Sequence, residues 1–114
     1  MAKTYNSDRY AIQFTHDSIA RRPLEARIIS RIVDVLGEAG DPVVRVWDSE
    51  EESPVSSVGD VVHLAYNLDE LWLYTQSGAV IFLVMGQDWD ILTDYSVSLE
   101  DTLTPVTEWI YKNM

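Results

Sequence analysis

The sequence predicts an α+β fold: an antiparallel sheet of three to five strands with two or three helices packed on one face. Three observations carry this reading. Residues 24–36 repeat apolar side chains at helical spacing. Two β-rich runs, Leu71 to Gln76 and Ala79 to Met85, are separated only by Ser77-Gly78. Helical patterns lie on both sides of the strands, the order expected when helices cover one face of an antiparallel sheet. With 114 residues and 46% hydrophobic side chains, the chain has the length of one domain and the composition of a packed one. We read residues 1–114 as a single domain.

Tyr10, Ile12 and Phe14 alternate with Ala11 and Gln13, which predicts a short strand. From Pro23 the period changes. Leu24, Ile28, Ile32 and Leu36, with Ile29, Val33 and Ala39 beside them, form one stripe, and Arg27, Arg31, Asp34 and Glu38 fall opposite. Arg31 and Asp34, three apart, read as a solvated pair. Pro23 suits a first helical turn and Glu25 the positive end of the dipole, while Gly40, Asp41 and Pro42 stop the helix. Val43 to Trp47 is β-rich, and residues 48–60 (DSEEESPVSSVGD) read as a loop. Ser57 and Asp60 have capping-box spacing ahead of Val61, Val62 and Ala65, with Asn67 as a candidate stop. The same stretch alternates as Val62, Leu64, Tyr66 and Leu68, so helix and strand both stay open for 61–67, with helix favoured.

The Ser77-Gly78 spacing predicts a hairpin with a two-residue loop. Gly86 to Asp90 turns the chain, and Ile91 to Tyr95 returns as a third antiparallel strand. Ser98 and Asp101 repeat the capping spacing, and Leu99, Leu103, Val106 and Ile110 share a helical face. Pro105, inside that pattern, is expected to separate an opening turn from a final helix over 105–112.

Charge is the strongest functional signal. The net charge is −11, beyond the magnitude of about 2 to 8 that solubility asks of a small domain. Residues 1–45 are nearly balanced, whereas residues 46–111 hold thirteen carboxylates and no Lys or Arg. Such a stretch cannot neutralise its own field and projects negative potential. Direct nucleic-acid binding is disfavoured, because phosphate contacts need clustered Lys and Arg. The bland account of the charge is solubility. The sharper one is a surface made to meet a basic partner, with carboxylates standing in for the phosphates of a duplex.

Enzyme signatures are scarce. GxGxxG, a Walker phosphate loop, GxSxG and HExxH are all missing, and zero cysteines exclude disulfides, thiolate metal sites and cysteine catalysis. His16 beside Asp17 suits a general base in principle but is more simply incidental, and His63 has no second ligand at metal-site spacing. Asp88, Asp90 and Asp94 are the best acidic cluster for a hard cation. Turn chemistry accounts for Asp88 and Asp90 without one, and the remaining ligands of a Ca²⁺ loop are missing. We therefore expect no catalytic residue, no metal and no cofactor. Of the four tryptophans, Trp47, Trp72 and Trp109 lie on apolar patterns and read as core or partly buried. Trp89 stands at a turn between two carboxylates, as an anchor for a basic partner or as a ring folded back onto the sheet.

The stretch AVIFLVMGQDWDILTDYSVSLEDTLTPVTEWI, residues 79–110, places a hydrophobic strand, a Gly-containing turn, an Ile-x-x-Asp-Tyr strand and a capped helix in succession. In this it resembles small acidic accessory proteins of phages and mobile elements, of the anti-restriction and anti-CRISPR type. The resemblance implies a compact, acidic, non-enzymatic inhibitor and assigns no individual residue.

The expected function is therefore a non-enzymatic interaction protein that presents Asp48, Glu50, Glu51, Glu52, Asp60, Asp69, Glu70, Asp88, Asp90, Asp94, Glu100 and Asp101, with Trp89, to a basic protein or nucleoprotein complex. A phage-encoded inhibitor of a host-defence complex is the leading reading, and an immunity protein or antitoxin neutralising a cationic toxin is the alternative. The longest apolar run, Ala79 to Met85, is far shorter than the ~20 residues of a membrane span. The expected setting is the cytoplasm, that of the host if the protein is phage-encoded, with no membrane partner.

Overall fold

A computed structural model describes residues 23–65 and 68–114. The strand expected over Tyr10 to Phe14, together with His16, Asp17, Tyr66 and Asn67, lies outside the described residues. Among those described, three α-helices and one five-stranded antiparallel sheet form an α+β fold. The chain runs α1 (Pro23–Glu38), β1 (Val43–Trp47), β2 (Glu52–Pro54), α2 (Val58–Ala65), β3 (Glu70–Thr75), β4 (Val80–Val84), β5 (Leu92–Tyr95) and α3 (Glu100–Asn113). Short 3-10 turns over Asp88–Asp90 and Val97–Leu99 flank β5. The sheet order is β2-β1-β3-β4-β5. No helix among the described residues is long and apolar enough to cross a membrane.

Helix α1 follows its sequence pattern closely. Ala26, Ile28, Ile29, Ile32 and Leu36 are wholly buried, each of the larger side chains contributing about 1.5–3 kcal/mol of transfer free energy. The helix ends in a Schellman motif: Asp41 N–H donates to Leu36 O at 2.9 Å and Gly40 N–H to Gly37 O at 3.1 Å. Gly40 takes φ +81°, which the motif requires and only glycine adopts without strain. Asp41 then reaches the β3–β4 connection, accepting from Ser77 N at 2.8 Å and Ser77 Oγ at 2.7 Å. Burial pushes the Asp41 carboxyl up, but these bonds and one from Thr75 outweigh it and hold the group below its ordinary value.

The hairpin forms where expected, with Tyr74 opposite Val80 and Leu71 opposite Leu83. Its loop is three residues, 76–78, rather than two: Thr75 N–H donates to Ala79 O at 2.9 Å and Gly78 takes φ +94°. Three-residue loops closed by a left-handed glycine are the next most common hairpin connection after the two-residue turns. The third antiparallel strand, β5, pairs with β4 at the sheet edge.

Three expectations are corrected. Residues 48–60 are not all loop, because Glu52–Pro54 pairs with β1, placing Trp47 opposite Glu52 and Arg45 opposite Pro54. Asp48 Oδ1 accepts from Glu50 N and Glu51 N, both at 2.9 Å, and this turn delivers the edge strand. At the end of the chain, Ser98 does not cap a helix; α3 begins at Glu100, after a 3-10 turn, with no side-chain cap. Pro105 does not divide it either. The helix is continuous, since Leu103, Val106 and Ile110 lie on one buried stripe spanning the proline, which itself is exposed. The proline frees the Asp101 carbonyl in the solvated first turn, where the cost of a lost bond is smallest. Residues 58–65 are helical, and Asp60 N–H donates to Ser57 Oγ at 3.2 Å, as the capping spacing predicts.

Candidate acidic interaction surface

Strand directions decide which carboxylates meet. β1 and β4 point toward one end of the sheet, and β2, β3 and β5 start from it. That end gathers the β1–β2 turn (Asp48, Glu50, Glu51, Glu52), the entry to β3 (Asp69, Glu70) and the β4–β5 connection (Asp88, Asp90), eight of the expected carboxylates. Asp48, Ser49, Leu68, Asp69 and Glu70 line an open depression of about 420 Å³ there. The remaining expected residues lie elsewhere. Asp60 begins α2, and Glu100 and Asp101 begin α3, all at the opposite end, while Asp94 lies on β5. The carboxylates of residues 46–111 thus fall mainly at two ends of the sheet.

Backbone amides hold two of these carboxylates in place. N–H groups of Glu51 and Glu50 keep the Asp48 carboxyl below its ordinary pKa, and Ser56 N–H does the same for Asp60, accepted at 2.9 Å. Among the described residues no three His, Asp or Glu side chains are placed to hold a metal ion.

Trp89 lies at the margin of the acidic end. It is half-buried against the core, its ring 5.9 Å from that of Trp109 at an interplanar angle of 52°. The Arg31 guanidinium covers Trp109 at 4.1 Å from the centroid. Burial, and then repulsion from Arg27, lowers the Arg31 pKa, while Asp34 acts as a partly offsetting charge. Trp89, Asp90, Leu92, Thr107, Ile110, Tyr111 and Met114 surround a cavity of about 120 Å³. Tyr111 and Met114 are 77% and 63% exposed, so this corner offers apolar surface beside carboxylates, with Lys112 the one cation on the same helical turn.

Glu25 sets this corner. Its carboxylate is 1% exposed and accepts from Gly86 N at 2.9 Å and Asp88 N at 2.8 Å. These bonds brace a turn in which Gly86 (φ +83°) and Asp88 (φ +56°) are both left-handed, a conformation that disfavours most side chains. Sequence reasoning placed Glu25 on the helix dipole and missed this role. No local signal marks it, because the amides lie 61 and 63 residues away.

A second surface was also missed. Trp47, Trp72 and Phe82 stand in register across β1, β3 and β4 on the face of the sheet opposite the buried Val46, Leu71, Leu73, Ile81 and Leu83. Neighbouring rings are 4.8 Å apart. Trp47 and Trp72 are thus half-buried, as expected, on the face away from the described helices. The signal was parity: Trp47 alternates in phase with Arg45, and Trp72 with Glu70.

In comparisons with known proteins, no family model, curated protein or solved structure matches this chain.

Proposed function

We propose that this protein is a non-enzymatic acidic inhibitor that docks the carboxylate-rich end of its sheet, with Trp89 at the margin, onto the nucleic-acid-binding surface of a basic partner. The leading setting is a phage-encoded anti-CRISPR or anti-restriction inhibitor acting in the host cytoplasm. The observation that carries the reading is the convergence of Asp48, Glu50, Glu51, Glu52, Asp69, Glu70, Asp88 and Asp90 at one end of the sheet. Five strands span four gaps of about 4.8 Å, or about 19 Å. Duplex DNA of that length carries roughly 11 phosphates, so eight carboxylates approach the charge density of the ligand they would replace. The apolar rings at Trp89 and Tyr111 supply what charge alone does not, a desolvated anchor beside the charged rim.

Competition tests this. The partner is captured from lysate on the immobilised protein, identified, purified and loaded with its own nucleic acid. Mutually exclusive binding is the expected result. A ternary complex, in which nucleic acid and this protein bind together without loss of affinity for either, overturns the mimicry.

A further inference from the structure

The face of the sheet away from the described helices holds a second feature, unrelated to the acidic end. Trp72, Val80, Phe82, Asp94, Tyr95 and Ser96 line a cavity of about 340 Å³. The Trp72 and Phe82 rings are stacked, 4.8 Å apart and 24° from parallel. Asp94 lies directly across from Phe82 in the β4–β5 register. Its Oδ1 accepts the Tyr95 N–H at 2.8 Å, and the residue is exposed at the cavity lining. Flat π-faces next to a fixed carboxylate suit a planar cation, which stacks on the rings and donates to the oxygen.

The same face already treats one guanidinium in this way. Arg45 lies 5.0 Å from the Tyr74 ring centroid, and its Nε is 3.2 Å from Glu52 Oε1. Arg45 and Tyr74 face each other across β1 and β3, two residues along from the Trp47–Trp72 pair on the same face. The row beside them repeats the chemistry without a cation among the described residues: aromatic rings at Trp72 and Phe82 and a carboxylate at Asp94, within a stretch of 66 residues that has no Lys or Arg of its own.

The geometry points to a guanidinium pocket at Trp72, Phe82 and Asp94 that takes an arginine side chain from an extended basic segment of the partner. This rests on the basic-partner reading for the partner's charge, but names a different surface from the acidic end. Arginine is preferred to lysine because its planar group stacks and donates at once, whereas an ammonium is a compact, strongly hydrated charge.

The probe is a blocked peptide of alternating arginine and serine, titrated into the full-length protein and followed by the indole and side-chain NMR signals of Trp72, Phe82 and Asp94. Saturable shifts centred on these residues are expected, with binding at least fivefold weaker for the lysine peptide and lost for the citrulline peptide. Asp94→Asn, an exposed change, is expected to weaken binding at least fivefold and Trp72→Phe to weaken it less. Shifts confined to residues 48–52 and 69–70 would overturn the pocket while leaving the acidic-end reading standing. Equal binding of the citrulline peptide, or no shift anywhere, would overturn it too. So would Trp72 signals that move only with protein concentration, which would assign the face to a second copy. Signals that move only in Arg9→Gln, Arg21→Gln or Arg22→Gln would assign it to this chain's own cations.

Discussion

Replacing Glu25 by Ala removes one carboxylate and leaves two backbone amides, those of Gly86 and Asp88, without their acceptors. Hydrogen bonds to an ionised group are worth about 1.5–3 kcal/mol each, so the two together amount to roughly 3–6 kcal/mol before water enters the gap. With partial rehydration of these half-buried amides, a loss of about 3 kcal/mol is expected, a large share of the ~5–15 kcal/mol that a domain has. For a chain of this size it corresponds to a fall in melting temperature of roughly 10–15 °C. Glu25→Gln keeps one carbonyl acceptor and is expected to lose about half as much. Urea unfolding followed by tryptophan fluorescence gives the stabilities. Acrylamide quenching of the folded variants reports on Trp89, whose turn the carboxylate braces, and quenching is expected to rise. A stability loss below about 0.5 kcal/mol for the Ala variant would refute the clamp.

Two further outcomes follow from the same geometry. Gly78→Ala has no atom within 4 Å of the added Cβ, yet φ is +94°; the cost is therefore purely conformational, about 1–2 kcal/mol by urea unfolding, and an unchanged midpoint would contradict the left-handed turn. The Asp60 carboxyl is held below its ordinary pKa, by Ser56 N–H above all. Its stabilisation is complete above the unfolded-state value near ~3.9 and is lost as pH falls through the lower folded value. Asp60→Asn is expected to be less stable than wild type at neutral pH, with the gap closing in acid; a gap independent of pH would contradict the cap.

What was legible in the sequence was what local periodicity encodes. Helix α1 and the β3–β4 hairpin are written in spacings of 3.6 and 2, and Gly40 and Gly78 stand where the chain must turn left-handed. What was not legible depends on distant partners. Glu52–Pro54 has no apolar alternation and becomes a strand because β1 offers it an edge. Helix α3 runs through Pro105 because burial of Leu103, Val106 and Ile110 outweighs one lost backbone bond. In the candidate site, charge counting found the carboxylates but not their division. Only strand direction separates Asp48, Asp69 and Asp88 from Asp60, Glu100 and Asp101. Trp89 stood out in the sequence at a turn between two carboxylates, and its packing on Trp109 needed the tertiary structure.

The central claim is that the acidic end steers association with a basic partner and that Trp89 holds the complex once formed. Association and dissociation rates for the purified partner, measured from low to high salt, test it most directly. Comparison of wild type, Trp89→Ala and a combined Glu50→Gln, Glu51→Gln and Glu52→Gln variant separates the two roles. Surface charges are screened beyond about 8 Å at physiological ionic strength, so the wild-type on-rate is expected to fall about tenfold or more as salt rises. The triple variant is expected to start slower and to show a shallower salt dependence, with little change in off-rate. Trp89→Ala is expected to dissociate faster, costing about 2 kcal/mol, with its on-rate preserved. An on-rate indifferent to salt, together with unchanged rates in both variants, would contradict the account and leave the charge as a means of solubility alone.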